Sequence, residues 1–284
     1  MSVRLYFILG LALLSVSSTS IVIRHLADFP ALALAFWRMF TASGLLWGYS
    51  TIKKEKPLSK TNTYLTIIAG VFLGLHFACF FWGVRNTSIA NATLLANTGP
   101  FFTALITFLK TGKLRKPVLV GLMLALVGLI AFQSSERTIG QNSNLGNLVS
   151  LISGLCIAIT YSYAKKIRKE SNAVVYGRTL FFSASITILF IWMVLEPSSF
   201  LFEKEKIFWV LFLGVVPSIL GHNSLNYSIR YLSPTAVASV PLGEPVIASI
   251  LGYALFSENV SIEALLAAPF IFFGIYLILN TERE

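Results

Sequence analysis

Charged side chains are scarce in this sequence. Of 284 residues, 12% are Asp, Glu, Lys or Arg, against about 25% in soluble domains. A soluble fold of this length would bury a large core, but it would need a polar coat that this chain lacks. Cysteine is scarcer still: Cys79 and Cys156 both fall inside apolar runs and give neither a disulfide framework nor metal-ligand spacing. There is no HExxH and no glycine-rich phosphate loop, which removes zinc-protease chemistry and ATP-driven pumping by this chain alone. No loop is long enough to form a soluble catalytic domain.

What is present is apolar. Hydrophobic residues make up 56% of the chain and the mean hydropathy is +0.77. A spanning helix needs about 20 mainly apolar residues. Ten runs qualify, at about 4–23, 30–50, 63–84, 88–109, 117–134, 146–165, 174–195, 207–227, 234–256 and 262–280. The expected fold class is an all-α integral membrane protein with ten transmembrane helices. The first run is too long for a cleavable signal core, and SVSSTS lies inside it, so it reads as a retained span.

Lysine and arginine set the orientation. With the N-terminus inside, one set of loops and ends carries Arg4, Lys53, Lys54, Lys56, Lys60, Lys110, Lys113, Arg115, Lys116, Lys165, Lys166, Arg168, Lys169, Arg230 and Arg283, fifteen in all. The other carries five: Arg24, Arg85, Arg137, Lys204 and Lys206. Both termini are expected in the cytoplasm. The net charge of +10 is then topology and attraction to anionic lipid heads, not a nucleic-acid footprint. The sequons at Asn86, Asn91, Asn226 and Asn259 lie in or beside spans and read as chance.

The chain repeats itself. HFACFFWGVRNTSIANATLLANTGPFFTAL aligns with GHNSLNYSIRYLSPTAVASVPLGEPVIASI at an offset of 145, pairing Arg85 with Arg230, Ser88 with Ser233 and Pro100 with Pro245. At an offset of 140, FWRMF meets YGRTL and pairs Arg38 with Arg178. These matches divide the chain into 1–140 and 141–284, five spans each. Because five is odd, the second half enters the bilayer inverted. Such repeats place a substrate site near the midplane and suit alternating access.

GHNSLNYSIRYLSPTAVASVPLGEPVIASILGYALFSE resembles the end of an EamA domain of the drug/metabolite transporter superfamily. GLHFACFFWGVRNTSIANATLLANTGPFFTAL resembles the equivalent part of a first EamA domain, and ALAFWRMF its second helix. The resemblance covers nearly the whole chain. It implies a secondary transporter, often an exporter of amino acids or other small metabolites, in the bacterial inner membrane. It also implies a midplane cavity lined by the first, third, fourth, sixth, eighth and ninth spans. Residues in those spans that would line it include Ser15, Thr19, His76, Asn97, Tyr161, His222, Asn226 and Glu244. The expected partners are a small-molecule metabolite, membrane lipids and protons as a candidate coupling ion, with no cofactor, metal or nucleic acid. Oligomeric state is not legible.

Glu244 carries the strongest signal read from the residues themselves. It is the one acid well inside a span, with Arg230 and Glu258 its nearest charges. A charge at a helix centre costs about 2.5–3.5 kcal/mol on insertion scales, so it faces the protein interior. It is either a coupling carboxylate or an anchor for the helix that Pro241 and Pro245 break. Those prolines deprive the carbonyls of Val237 and Pro241 of helical partners. With Pro100, they are either hinges or bends that help packing. Arg38 sits at a depth where it either pairs with Glu244 or snorkels outward. His76 and His222 fall on matched segments and either relay protons or bond a neighbouring helix. Asn226 and Tyr227 lie one turn beyond His222 and are candidates for polar contacts. Phe80, Phe81, Trp82, Trp37, Tyr161 and Tyr163 form a candidate aromatic lining. The ladders Gly70–Gly74 and Ser150–Gly154–Ala158–Ser162 read as close helix packing. A channel-like facilitator is the alternative function. An intramembrane enzyme is the weaker one, because one isolated carboxylate supplies no catalytic set.

Overall fold

The computed structural model describes residues 3–26, 29–135, 143–196, 206–256 and 260–281. Arg137, Lys204, Glu258, Asn259 and Arg283 lie outside these residues, as does the side chain of Arg24 and the division near residue 140. Among the described residues there is no β-strand. The helices are α1 (Val3–His25), α2 (Ala31–Ile52), α3 (Lys60–Asn86), α4 (Ile89–Ala96), α5 (Gly99–Thr111), α6 (Lys116–Ser135) and α7 (Asn144–Ile167). They continue as α8 (Ala173–Leu195), α9 (Ile207–Leu213), α10 (Asn223–Ser228), α11 (Pro234–Ser239), α12 (Glu244–Phe256) and α13 (Ile262–Asn280). A π-helical segment, Gly214–His222, joins α9 to α10, and a 3₁₀ turn, Val240–Gly243, joins α11 to α12.

Eight helical segments among the described residues are long and apolar enough to cross a membrane, and Val3–Thr19 is a shorter apolar helix. α2 has 22 residues, but Arg38 and the polar positions after it dilute its hydropathy. Large apolar side chains face outward along these helices, such as Leu266 (66%) and Phe190 (66%), as lipid-facing surfaces require.

Three of the apolar runs are broken helices, and side chains explain each break. α4 stops at Asn97 and α5 restarts with Pro100 in its first turn, where a missing N–H costs nothing. Pro217 lies in the π segment. Pro241 lies in the 3₁₀ turn, and Pro245 is the second residue of α12. One expectation is corrected here. The carbonyls of Val237 and Pro241 are not left open: tightening to i→i+3 geometry lets the Val240 N–H bond Val237 and the Glu244 N–H bond Pro241. The break therefore makes Glu244 the first residue of a new helix.

Close approaches between helices depend on small residues. A Cβ on Gly70 would lie 2.7 Å from the Leu180 carbonyl and one on Gly74 2.8 Å from that of Ala184, so α3 meets α8 backbone to backbone. Gly121 and Gly274 do the same for α6 against α13. Other pairings are α2 with α8, α3 with α7, α1 with the π segment, α4 and α5 with α7, α1 with α12, and α5 with α11. Ser88 caps α4 by accepting from Asn91 N–H, and Ser233 caps α11 by accepting from Ala236 N–H.

Candidate functional site

A cavity opens where the broken helices meet α1, α2, α3 and α7. Its wall includes Thr19, Arg38, His76, Phe77, Phe80, Asn97, Pro100, Tyr161, His222, Pro241 and Glu244. It has about 70 Å³ of space for the centres of water-sized spheres. With a water's share of liquid volume at about 30 Å³, that is room for about two waters or one small solute.

Glu244 sits in the first turn of α12, where the helix dipole complements a negative charge. Among the described residues its carboxylate accepts no hydrogen bond. Arg38 is buried (2% exposed) and spends its donors elsewhere. Its Nε donates to Ser218 Oγ at 2.9 Å, and one terminal nitrogen faces the Pro217 carbonyl at 3.5 Å. The guanidinium lies 4.7 Å from the centre of the Phe77 ring. Arg38 therefore neither snorkels nor hydrogen-bonds Glu244. It ties α2 to the π segment that carries His222, and the two opposite charges share the cavity without touching.

His76 Nδ1 lies 3.0 Å from the Ser153 carbonyl oxygen and 2.9 Å from Ser153 Oγ; the carbonyl can only accept, so that contact is a hydrogen bond in the tautomer with the hydrogen on Nδ1. Ser153 Oγ, 2.9 Å from the His76 carbonyl, donates in return. That reciprocal pair leaves Nε2 with its lone pair, ready to accept from a solute. The ring of His222 meets Phe77 edge to face, with centroids 5.3 Å apart. Two hydroxyls on the wall, Thr19 Oγ1 and Tyr161 OH, are buried without a protein hydrogen-bond partner.

The cavity thus gathers Thr19, Arg38, His76, Asn97, Tyr161, His222 and Glu244, with Pro100 and Pro241. Ser15, Asn226, Tyr227 and Pro245 stand outside its wall. Ser15 is buried, and its carbonyl accepts from Ser18 Oγ at 2.7 Å. Asn226 is buried, and its carbonyl accepts from Arg168 Nε at 2.9 Å. Tyr227 packs on Tyr231, with ring centroids 5.4 Å apart. Of the six candidate aromatics only Phe80 and Tyr161 border the cavity, whereas Phe81 is in the core. Sequence reading missed Phe77, Thr93 and Ile157 on the wall, and the supports Ser153, Pro217 and Ser218. Thr93 lies one turn before Asn97 and was within reach of a periodicity argument. The partners of His76 and Arg38 depend on helix packing and carry no local signal.

Comparison with known proteins agrees with this architecture. The profile of the EamA-like transporter family matches residues 4–132 and again 144–280. A curated relative from Archaeoglobus fulgidus, an uncharacterized transporter, is 23% identical over 290 residues and all of both chains. The pseudopaline exporter CntI of Pseudomonas aeruginosa is 27% identical over 214 residues, covering 75% of this chain and 73% of its own. The uncharacterized inner membrane transporter YedA of Escherichia coli is 26% identical over 268 residues, covering 92% and 86%. A solved crystal structure superimposes with a TM-score of 0.81 over 100% of this chain and 99% of its own, at 15% identity, a likeness of fold alone. The chain belongs to the EamA-like transporter family and is an all-α transporter of the membrane.

Proposed function

We propose that this transporter moves a small zwitterionic metabolite, such as an amino acid, outward by alternating access between two inverted halves, 1–140 and 141–284. One observation carries the reading: Glu244, at the start of a half-helix, borders the cavity with no protein donor on its carboxylate. An ammonium group fits beside it, with the His76 lone pair as a second acceptor. The positive end of the α5 dipole, where Gly99 and Pro100 border the cavity, faces the substrate's carboxylate. Export is carried over from the relative named as an exporter.

The pattern of contacts supports the inverted halves. Several pairings are their own counterparts under the repeat, as with α2–α8 and α6–α13, and others have one, as α3–α7 has in α1 with the π segment and α5–α7 has in α1–α12. Ser88 and Ser233 cap equivalent helices, and Pro100 and Pro245 are both second residues of half-helices. The loop charges support ten spans with both termini in the cytoplasm and a plasma-membrane location.

Glu244→Gln tests the coupling role. It keeps the shape and removes the charge. Proteoliposomes loaded with a metabolite found by thermal-shift screening should show saturable counterflow, which a channel would not. Driven transport by the wild type should depend on pH, and the Gln variant should lose both driven transport and that dependence. An unchanged rate and pH profile in Glu244→Gln would leave the residue as an anchor only.

A further inference from the structure

The surface groove between α2 and α8 lies apart from the central cavity. Its walls are Phe40, Trp47 and Phe182, between 44% and 46% exposed, and its floor is Ser43 and Gly44. A Cβ built on Gly44 or Gly48 meets nothing within 4 Å, so the floor is open rather than closed by a neighbouring helix. Arg178 braces the wall. It is 8% exposed, its guanidinium lies 4.0 Å from the Trp47 ring centre, one terminal nitrogen donates to Ser50 Oγ, and its carbonyl accepts from Ser43 Oγ. Its Nε has no protein acceptor.

Directly beyond the end of α2, Lys53, Lys54, Lys56 and Lys60 are all exposed. The one acid among them, Glu55, already accepts from Asn172 Nδ2 at 3.0 Å. Along the helix axis Lys53 lies about 9 Å from Trp47 and about 14 Å from Gly44. That span matches one leaflet, roughly half of a 30 Å hydrocarbon core. A headgroup resting on the lysines would therefore set its acyl chain alongside Trp47 and Gly44.

We propose that this groove holds one acyl chain of an anionic phospholipid whose phosphate headgroup rests on the lysines that follow α2. Charge complementarity selects this occupant. Gly44 and Gly48, four residues apart, would admit a second helix. A twofold pairing through α2, however, would bring two lysine clusters together and put Phe40 in the same stripe as the glycines. An anionic headgroup neutralises the cluster instead.

Native mass spectrometry of the full chain in mild detergent, titrated with phosphatidylglycerol or with phosphatidylcholine of the same acyl chains, tests the proposal. The wild type should retain one phosphatidylglycerol in preference to phosphatidylcholine. The triple variant Lys53→Gln, Lys56→Gln, Lys60→Gln should weaken phosphatidylglycerol about fivefold per lysine removed, roughly a hundredfold in total. Gly44→Leu, whose Cβ meets nothing within 4 Å, sets its side chain into the groove and should cut binding of both lipids about tenfold or more while leaving the unfolding temperature in place. Equal retention of the two lipids by the wild type, or unchanged binding in both variants, overturns the proposal. So does a Gly44→Leu variant that turns a dimer into a monomer and still binds phosphatidylglycerol, since the groove would then seat a second copy.

Discussion

The clamp that Arg38 places on the π segment can be tested by a double-mutant cycle. The Nε–Ser218 Oγ bond, at 2.9 Å, joins a buried charge to a hydroxyl, a contact of about 1.5–3 kcal/mol. The Pro217 contact, at 3.5 Å, is too long to add much. The Phe77 face, 4.7 Å away, adds about 2 kcal/mol when desolvated. Ser218→Ala removes the acceptor and leaves a buried guanidinium nitrogen unpaired. It also removes the donor to the Leu213 carbonyl, 2.8 Å away, so the total cost is about 2–4 kcal/mol. Arg38→Met loses the bond and the ring contact, but it also removes a buried charge worth about 2.5–3.5 kcal/mol of insertion cost. Its net cost is therefore no more than about 2.5 kcal/mol. In the Met background Ser218→Ala forfeits only the Leu213 bond, about 1 kcal/mol. Unfolding followed by tryptophan fluorescence in detergent should give a coupling of about 1.5–3 kcal/mol between the two sites. Additivity within about 0.5 kcal/mol would refute the clamp. Counterflow adds a second readout. Arg38→Met should lose transport while still folding and inserting, because the π segment that carries His222 is no longer held.

Other expectations follow from the packing and the caps. Gly74→Ala would press a methyl against the Ala184 carbonyl 2.8 Å away, and should cost about 1–3 kcal/mol, read as a lower unfolding temperature. Gly44→Ala, by contrast, meets nothing and should be neutral or slightly stabilising. Ser153→Ala removes the bond to the His76 carbonyl and should cost about 1 kcal/mol. It should also reduce transport, because the ring loses part of its brace. Ser88→Ala and Ser233→Ala should each cost about 1 kcal/mol as lost caps. Single cysteines placed at Lys113 and Lys166 should resist an impermeant thiol reagent added to intact cells, and labelling there would overturn the proposed topology.

How much of this was legible in the sequence depends on whether the signal is local. Apolar length and loop charge are local, so the helical segments appear close to where the runs place them. Ser88 and Ser233 align because each caps a helix with the same geometry, which is why the repeat is visible at all. Seven of the ten binding or coupling candidates line the cavity because polar residues inside apolar helices have few places to go. Asn226 and Tyr227 stand outside it for a reason no periodicity count contains. The π segment inserts extra residues per turn ahead of them, and the α10 face then points its Asn226 carbonyl at Arg168. The same segment explains Arg38. Depth alone left either snorkelling or a partnership with Glu244, whereas Ser218, beside Pro217 in the widened turn, takes the guanidinium at hydrogen-bonding distance.

The isolated glutamate between two prolines can be explained by the same reasoning. A straight α12 running back through Val240 would leave Glu244 in the middle of a helix, with no dipole to offset its charge. Pro241 prevents that, and the 3₁₀ turn takes up the loose N–H and carbonyl groups, so the break leaves no backbone hydrogen bond missing among those carbonyls. What the break gains is a helix start at Glu244. Its counterpart at an offset of 145 is Gly99, which starts α5 and has no side chain. Two half-helices thus begin at one cavity, one bearing a carboxylate and the other bare backbone. A repeat of identical halves would present the same chemistry twice. In the proposed function, the Glu244 start accepts the solute's cation and the α5 start faces its anion. That asymmetry is what a zwitterionic solute requires, and a Gly99→Glu variant, which makes the two starts alike, should abolish transport of such a solute in counterflow even where the protein folds and inserts.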